Sequence, residues 1–433
     1  MKTNVATKFT EKTHESAQAA RINSAQALRR SVMACMLWED EFYEDGQEIG
    51  KRISALASSV PFEQVAAIAI EAREKMKLRH APLWLVVALM KAKHQGRKVG
   101  DLIARVCQRA DEPAELLSMY WKDQPQAPLP KQLKVGLARA LAKFDEFQLA
   151  KNNRDGAVKL RDVLFLSHAK PTEARADLYK RIAEKKLATP DTWEVSLSAG
   201  ADKKAVFERL MEEDNLGGLA FLRNLRNMEQ AGVAKATVAA YGARAKLDRV
   251  LPFRFISAAR AVPQWEDVIE PLMLKALGNS EKLAGKTALV VDNSGSMQGT
   301  RVSARSDISR ADAACALAIL VREIAEDALV IGFGSSAAIM PNRRGFGLAE
   351  AIHRGPGGGT DTRAAVALAN SKGYDRIIVI TDEQSHTAIG APQGKGYVIN
   401  VASNKNGIGY GPWLHIDGWS EAIVEYIKAS EAS

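Results

Sequence analysis

Cysteine is scarce in this chain. Its 433 residues hold three, Cys35, Cys107 and Cys315, too far apart for a disulfide scaffold or a cysteine-ligated zinc site. Long apolar runs are missing too. The most apolar stretch, Ala81–Met90, falls well short of the roughly 20 residues needed to span a bilayer and carries Pro82. The opening residues MKTNVATKFTEKTHE contain no hydrophobic segment, so no secretory signal is expected. These absences point to a reducing, cytoplasmic setting with no membrane partner.

Catalytic signatures are equally thin. Gly285-Lys286-Thr287 resembles the end of a P-loop, but Gly278 stands seven residues before Gly285 instead of five, and the segment precedes a strand pattern. The Asp292 loop lacks the second aspartate of a phosphoaspartyl transferase. Ser294 is not in a Gly-x-Ser-x-Gly elbow, and His353, His386 and His415 form no Ser/His/Asp order. The expectation is a protein that is not an enzyme.

What is present divides the chain in two. Hydrophobic residues make up 46% and charged residues 26%, ordinary for a globular protein, and the length suits two or three domains. Before about residue 284, apolar residues recur at helical spacing. Helices are predicted over 62–78, 82–93, 101–110, 131–144, 172–185, 203–212, 217–228, 253–261 and 266–277, with Pro and Gly between them. Short helices joined by short loops suit a HEAT-like α-helical repeat. Residues 278–285 read as a linker. Beyond it the period changes: aliphatic runs at 287–292, 328–333, 376–382 and 396–401 alternate with helical stretches at 307–324, 347–353, 362–371 and 419–429. That pattern is a doubly wound α/β domain with a parallel sheet. The expected domains are therefore 1–284, helical, and 285–433, α/β.

Charge follows this boundary. The net +9 resolves into 46 basic and 36 acidic residues over 1–284, and 14 basic and 15 acidic over 285–433. Within the first half, Lys131–Lys186 holds 14 basic and 7 acidic residues. An anionic partner is expected there. That stretch has only Phe144, Phe147, Phe165 and Tyr179 as aromatics, so base stacking is not expected to be prominent. Trp38, Trp84, Trp121, Trp193 and Trp265 read as core.

The densest motif is Asp292-Asn-Ser294-Gly-Ser296 at the carboxyl end of the first predicted strand. One carboxylate and two hydroxyls on a tight loop suit a hard divalent cation, Mg²⁺ above all. Thr360, in Gly357-Gly-Gly-Thr-Asp361, and Asp382, ending another strand, are placed to complete the shell. This order resembles the metal-ion-dependent adhesion site of von Willebrand factor A domains. The resemblance implies metal ligands Asp292, Ser294, Ser296, Thr360 and Asp382, with one coordination position left for an acidic group of a partner.

The helical half carries a second resemblance. It rests on Lys159-Leu-Arg-Asp-Val-Leu-Phe-Leu-Ser-His168-Ala-Lys170-Pro, Trp193–Gly200, Leu219-Ala-Phe-Leu-Arg-Asn-Leu-Arg-Asn-Met228 and Leu251-Pro-Phe-Arg-Phe255. These segments resemble the TROVE domain of the Ro ribonucleoprotein family, in its shorter bacterial and phage form. The resemblance implies a helical ring closed by the A domain, monomeric, binding Y-like small noncoding RNA on a basic outer surface. It also implies capture of single-stranded 3′ ends of misfolded RNA, and an exoribonuclease tethered through RNA for processing, decay or quality control. Carried onto this chain, the RNA contacts are Lys151, Arg154, Lys159, Arg161, His168 and Lys170. The basic positions Lys131, Lys134, Arg139, Arg223 and Arg226 are added as candidates. For each there is a plainer alternative: a solvated basic face, a core histidine at His168, or pairing of Arg223 and Arg226 with Glu212, Glu213 or Asp214. At the level of function, the alternative to RNA binding is a metal-dependent protein-interaction scaffold that grips an acidic partner group.

Overall fold

The computed structural model describes residues 11–33, 45–92, 96–153, 156–247, 250, 252–278, 282–302, 307–402, 404–418 and 422–432. It divides into two compact units. One is Gly50–Phe207; the other joins Met1–Ile49 to Glu208–Ser433.

The Gly50–Phe207 unit is all helical. His80–Lys91 is buried on nearly every side, because its run Ala81–Met90 has no polar face to turn outward. Between the helices lies a buried ionic knot. The Arg73 guanidinium donates to Glu112 at 2.6 Å, while Glu112 also accepts the backbone N–H groups of Gln108 and Arg109. Arg79 and Arg109 share Asp111. Further along, Leu141, Phe144, Leu149, Leu160, Leu164, Tyr179 and Ile182 form one apolar cluster. It draws the helices Lys131–Leu141, Glu146–Lys151, Leu160–Leu166 and Ala176–Glu184 around a single core.

The second unit is built on a six-stranded sheet, β1 (Leu283–Asp292), β2 (Ala325–Phe333), β3 (Ala337–Ile339), β4 (Arg376–Thr381), β5 (Lys395–Asn400) and β6 (Leu414–Asp417). Their order is β3-β2-β1-β4-β5-β6; only the β2–β3 pair is antiparallel. All four aliphatic runs of the sequence are strands, so the α + α/β class holds. β3 and β6 are additions too short and mixed to show as runs. The linker expected over 278–285 differs as well: Leu283 already pairs with Ala325, and the irregularity lies between Leu283 and Lys286. β4 is buried at every position and β1 over its last six, as a central parallel sheet requires. Helix Thr362–Asn370 covers one face through Ala365, Val366 and Ala369. Helix Arg310–Ile324, apolar nearly all round, is almost wholly buried.

The segment from Thr13 to Ala20 is built onto the sheet's loops. Thr13 Oγ1 donates to the Ser385 carbonyl at 2.7 Å, the His14 N–H donates to Gln384 Oε1 at 3.0 Å, and the Ala20 N–H donates to the Gly407 carbonyl at 2.9 Å. In helix Ser24–Met33, Arg30 is fully buried. Its guanidinium is ion-paired with Glu383 and donates to the carbonyls of Asn404 (2.6 Å) and Asn406 (2.7 Å). His415 lies 3.1 Å from Glu383 and 3.4 Å from Asp417, and stacks on Tyr410. Two cations and two carboxylates thus neutralise one another out of water. Gly409 must be glycine, since a Cβ there would collide with the Glu383 carboxylate.

Burial raises the Glu383 carboxyl, but Arg30 and His415 outweigh it and hold it at about 2. Burial lowers the His415 imidazolium, but Asp417 and Glu383 outweigh that and lift it to about 9.

Arg30→Met leaves Glu383 without its main partner and is expected to cost about 3–5 kcal/mol, whereas adding Glu383→Gln restores much of it. Thermal or urea unfolding measures both, and a single variant as stable as the parent would show the pair to be dispensable. The His415 pKa stands above its ordinary 6.5, so its contribution is complete below that pH and disappears as pH rises through about 9. Unfolding midpoints should fall over that window, and His415→Gln should flatten the fall.

Candidate metal centre and nucleic-acid interface

In the sheet β1 lies between β2 and β4, so the carboxyl ends of β1 and β4 form the switch point. Asp292 closes β1 and Asp382 follows β4. A third loop is stitched in by the backbone. The Gly295 N–H donates to Gly358, Ser335 to Gly357 and Asp361 to Gly334, at 2.8–2.9 Å. Gly334 permits this approach, because any Cβ there would run into the Gly357 backbone.

The five expected ligands are all buried. Asp292 Oδ1 accepts the Ser294 N–H at 2.9 Å and its Oδ2 accepts the Thr381 hydroxyl at 2.5 Å. The Ser294 and Ser296 hydroxyl oxygens stand 3.3 Å apart. Thr360 is anchored through its carbonyl, which accepts from Ser385 Oγ (2.8 Å) and the His386 N–H (3.1 Å). Asp382 Oδ1 accepts the Gln384 N–H at 3.0 Å. Burial, and then the charge of Asp382, raise the Asp292 carboxyl to about 7. Two buried carboxylates repelling one another beside two hydroxyls form an oxygen-only donor set that fits a hard cation. Among the described residues no three His, Cys, Asp or Glu groups gather. A cation here would therefore complete its shell with hydroxyls and water, as Mg²⁺ does. Asp361 acts differently: it caps helix Thr362–Asn370, accepting the Ala364 N–H at 3.1 Å and the Thr387 hydroxyl at 2.9 Å. Thr381 was not expected at the site; its only sequence signal is its place at a strand end.

The basic candidates separate by unit. Gly50–Phe207 carries 29 basic and 18 acidic residues, net +11, and the rest of the chain 31 and 33, net −2. The charge excess is thus narrower than the 1–284 span. Nine of the eleven candidates lie in this unit. Arg154 lies outside the described residues. Arg139 is ion-paired with Asp101. Lys159 precedes helix Leu160–Leu166 and its N–H is capped by Asp162 at 2.9 Å. Among the described residues, Lys131, Lys134, Lys151, Arg161 and Lys170 pair with no carboxylate; Lys134 is half-buried and the other four are exposed. Arg223 and Arg226 stand exposed on helix Gly218–Gln230 of the other unit. Glu213 and Asp214, their suggested partners, instead pair with Arg209 and Arg244.

His168 is exposed, which overturns its reading as a core histidine; Ser167 takes the buried position. Helix Leu160–Leu166 ends there because His168 adopts a left-handed backbone (φ 51°), with its N–H and that of Ala169 closing the last turn. Its Nε2 lies 3.3 Å from Lys134 Nζ. The aromatics also differ from expectation. Phe147 and Phe165 are exposed, each with a cation over its ring: Lys151 at 5.7 Å and Arg161 at 5.4 Å.

Residues 173–295 match the family model of the TROVE domain. The segments at 193–200, 219–228 and 251–255 fall inside that match; the segment ending at His168-Ala-Lys170-Pro precedes it. The crystal structure of the Deinococcus radiodurans Ro (Rsr) protein shares the fold, with a TM-score of 0.60 and 17% identity, covering 94% of this chain and 99% of that one. The first bears out the TROVE resemblance over residues 173–295, and the second bears out the fold.

Proposed function

We propose that this chain, with its TROVE-type sequence and the fold of a Ro protein, is a noncatalytic RNA-binding protein. The observation that carries the reading is a set of cations without a carboxylate partner, Lys131, Lys134, Lys151, Arg161 and Lys170, with Lys134 beside the exposed His168, on a unit of net +11. Lysine and arginine there neutralise phosphates and release counterions, which supplies most of the affinity. Arginine forks onto phosphate and histidine stacks or donates. The finer reading is a Y-like small noncoding RNA on this surface, with single-stranded ends of misfolded RNA as further ligands. A tethered exoribonuclease would then serve RNA processing, decay or quality control in the cytoplasm.

The Asp292 site supports a second, separate role. Asp292, Ser294, Ser296, Thr360 and Asp382 would hold Mg²⁺, which when bound supplies a positive point for an acidic group of a protein partner. The chain's own residues orient that site: Thr381 and the Ser294 N–H hold the Asp292 carboxylate, and the Gln384 N–H holds Asp382.

Binding of a structured RNA should fall steeply with salt. Lys131→Glu, Lys134→Glu and Lys170→Glu together should lower the slope of log K against log salt by about two to three. Salt-insensitive binding, or a triple variant that binds as well as the parent, overturns the RNA reading. For the second role, Asp292→Ala with Ser294→Ala should remove Mg²⁺ binding in calorimetry and leave RNA affinity unchanged. RNA affinity lost together with the metal, with the circular dichroism spectrum intact, would place the metal in service of RNA.

A further inference from the structure

Helix Leu160–Leu166 buries Leu160, Val163 and Leu164, and Ser167 continues that face. On the opposite side Arg161 and Phe165 are exposed at spacing i, i+4, so the two side chains share one face, and His168 is exposed just past the helix end. Phe165 is 54% exposed, and the Arg161 guanidinium sits 5.4 Å from its ring centre. His168 follows, with Lys134 reaching it from helix Lys131–Leu141. Helix Glu146–Lys151 repeats the device. Phe147 is 49% exposed with Lys151 at 5.7 Å, again at i, i+4, while Leu149 turns into the core shared with Leu160 and Leu164.

A lone exposed phenylalanine needs no explanation. Here, however, the large exposed hydrophobics among the described residues of Gly50–Phe207 are these two, and each is paired with a cation that no carboxylate neutralises. The pairing matches an unpaired nucleotide in both its parts: a flat ring for the base and a cation for the phosphate beside it. A folded duplex offers phosphates but keeps its base faces stacked inside. A protein partner would not need two separate ring-and-cation pairs on a surface of net +11.

We propose that Phe165 with Arg161, and Phe147 with Lys151, are stacking platforms for unpaired nucleobases. This unit therefore takes single-stranded RNA, a loop, bulge or free end, in addition to neutralising phosphates. The inference rests on the RNA-binding reading and adds to it the two ring-and-cation pairs that would hold the unpaired bases.

The test uses the full chain and a short single-stranded oligoribonucleotide carrying 2-aminopurine, beside the same strand annealed to its complement. The parent should quench the fluorophore in the single strand and bind it more tightly than the duplex. Phe165→Leu with Phe147→Leu keeps apolar bulk but removes the rings. It should lose the quenching and weaken single-strand binding about tenfold per platform engaged, with duplex binding nearly unchanged. Phe165→Tyr with Phe147→Tyr should restore both. If the leucine variant binds and quenches as the parent does, or loses both RNA forms equally, the platforms are refuted while salt-dependent RNA binding stands. If the parent binds neither RNA form, the RNA reading itself falls.

Discussion

The ion pair between Arg30 and Glu383 is the constraint on which the α/β domain's site depends. The two residues are 353 positions apart and have no access to water. Glu383 directly follows Asp382 and holds a left-handed backbone at φ 61°, a conformation disfavoured for any residue with a Cβ. Something must hold that turn, and the guanidinium does so, while its other nitrogens are fixed by the Asn404 and Asn406 carbonyls. Releasing Arg30 would leave a buried carboxylate beside the two already crowded at Asp292 and Asp382. The direction of the Asp382 side chain is therefore set partly by the helix Ser24–Met33, far away in sequence. The hydrogen bonds of Thr13 and His14 to Ser385 and Gln384 reinforce the same turn.

The two units treat charge in opposite ways. Around Glu383 each charge is buried and cancelled by a neighbour, so the unit's net −2 says little about its surface. In Gly50–Phe207 an inner knot of Arg73, Arg79, Asp111 and Glu112 is buried, further pairs such as Arg139–Asp101 and Arg105–Glu74 lie at the surface, and cations without a carboxylate partner stand outside as well. Buried pairs of the first kind fix geometry at little net gain in stability. Exposed cations of the second kind contribute little to the fold and remain available to phosphate.

How far this was readable in the sequence depended on the range of the interaction. The four central strands and the Asp-x-Ser-x-Ser loop were visible because sheet burial and loop chemistry are encoded in adjacent residues. So was the order of the metal-site loops, since a doubly wound sheet delivers strand ends to one edge. Arg30 was invisible: an arginine among Ala, Gln and Leu in an amphipathic helix carries no mark of a partner 353 residues on. β6 was hidden because its four residues mix Leu and Ile with His and Asp. The run Val163-Leu-Phe-Leu-Ser167 misled in a different way. Standing just before His168, it left a core histidine open, whereas the helical period keeps only Leu160, Val163, Leu164 and Ser167 inside and His168 is exposed.

A helix of seven residues with both Leu160 and Phe165 can seat either on the core, and burying Phe165 would have covered more apolar area. The fold instead buries the smaller side chains and leaves the larger ring in water, at a cost of about 1–2 kcal/mol in hydrophobic free energy not gained. Part of that cost is offset by the Arg161 contact. The same exchange occurs at Phe147 with Lys151, on a different helix facing the same core. A surface shaped by solubility alone would place a polar residue at both positions. Retaining a ring and an unneutralised cation at each is what a ligand with a flat face and an adjoining negative charge would require.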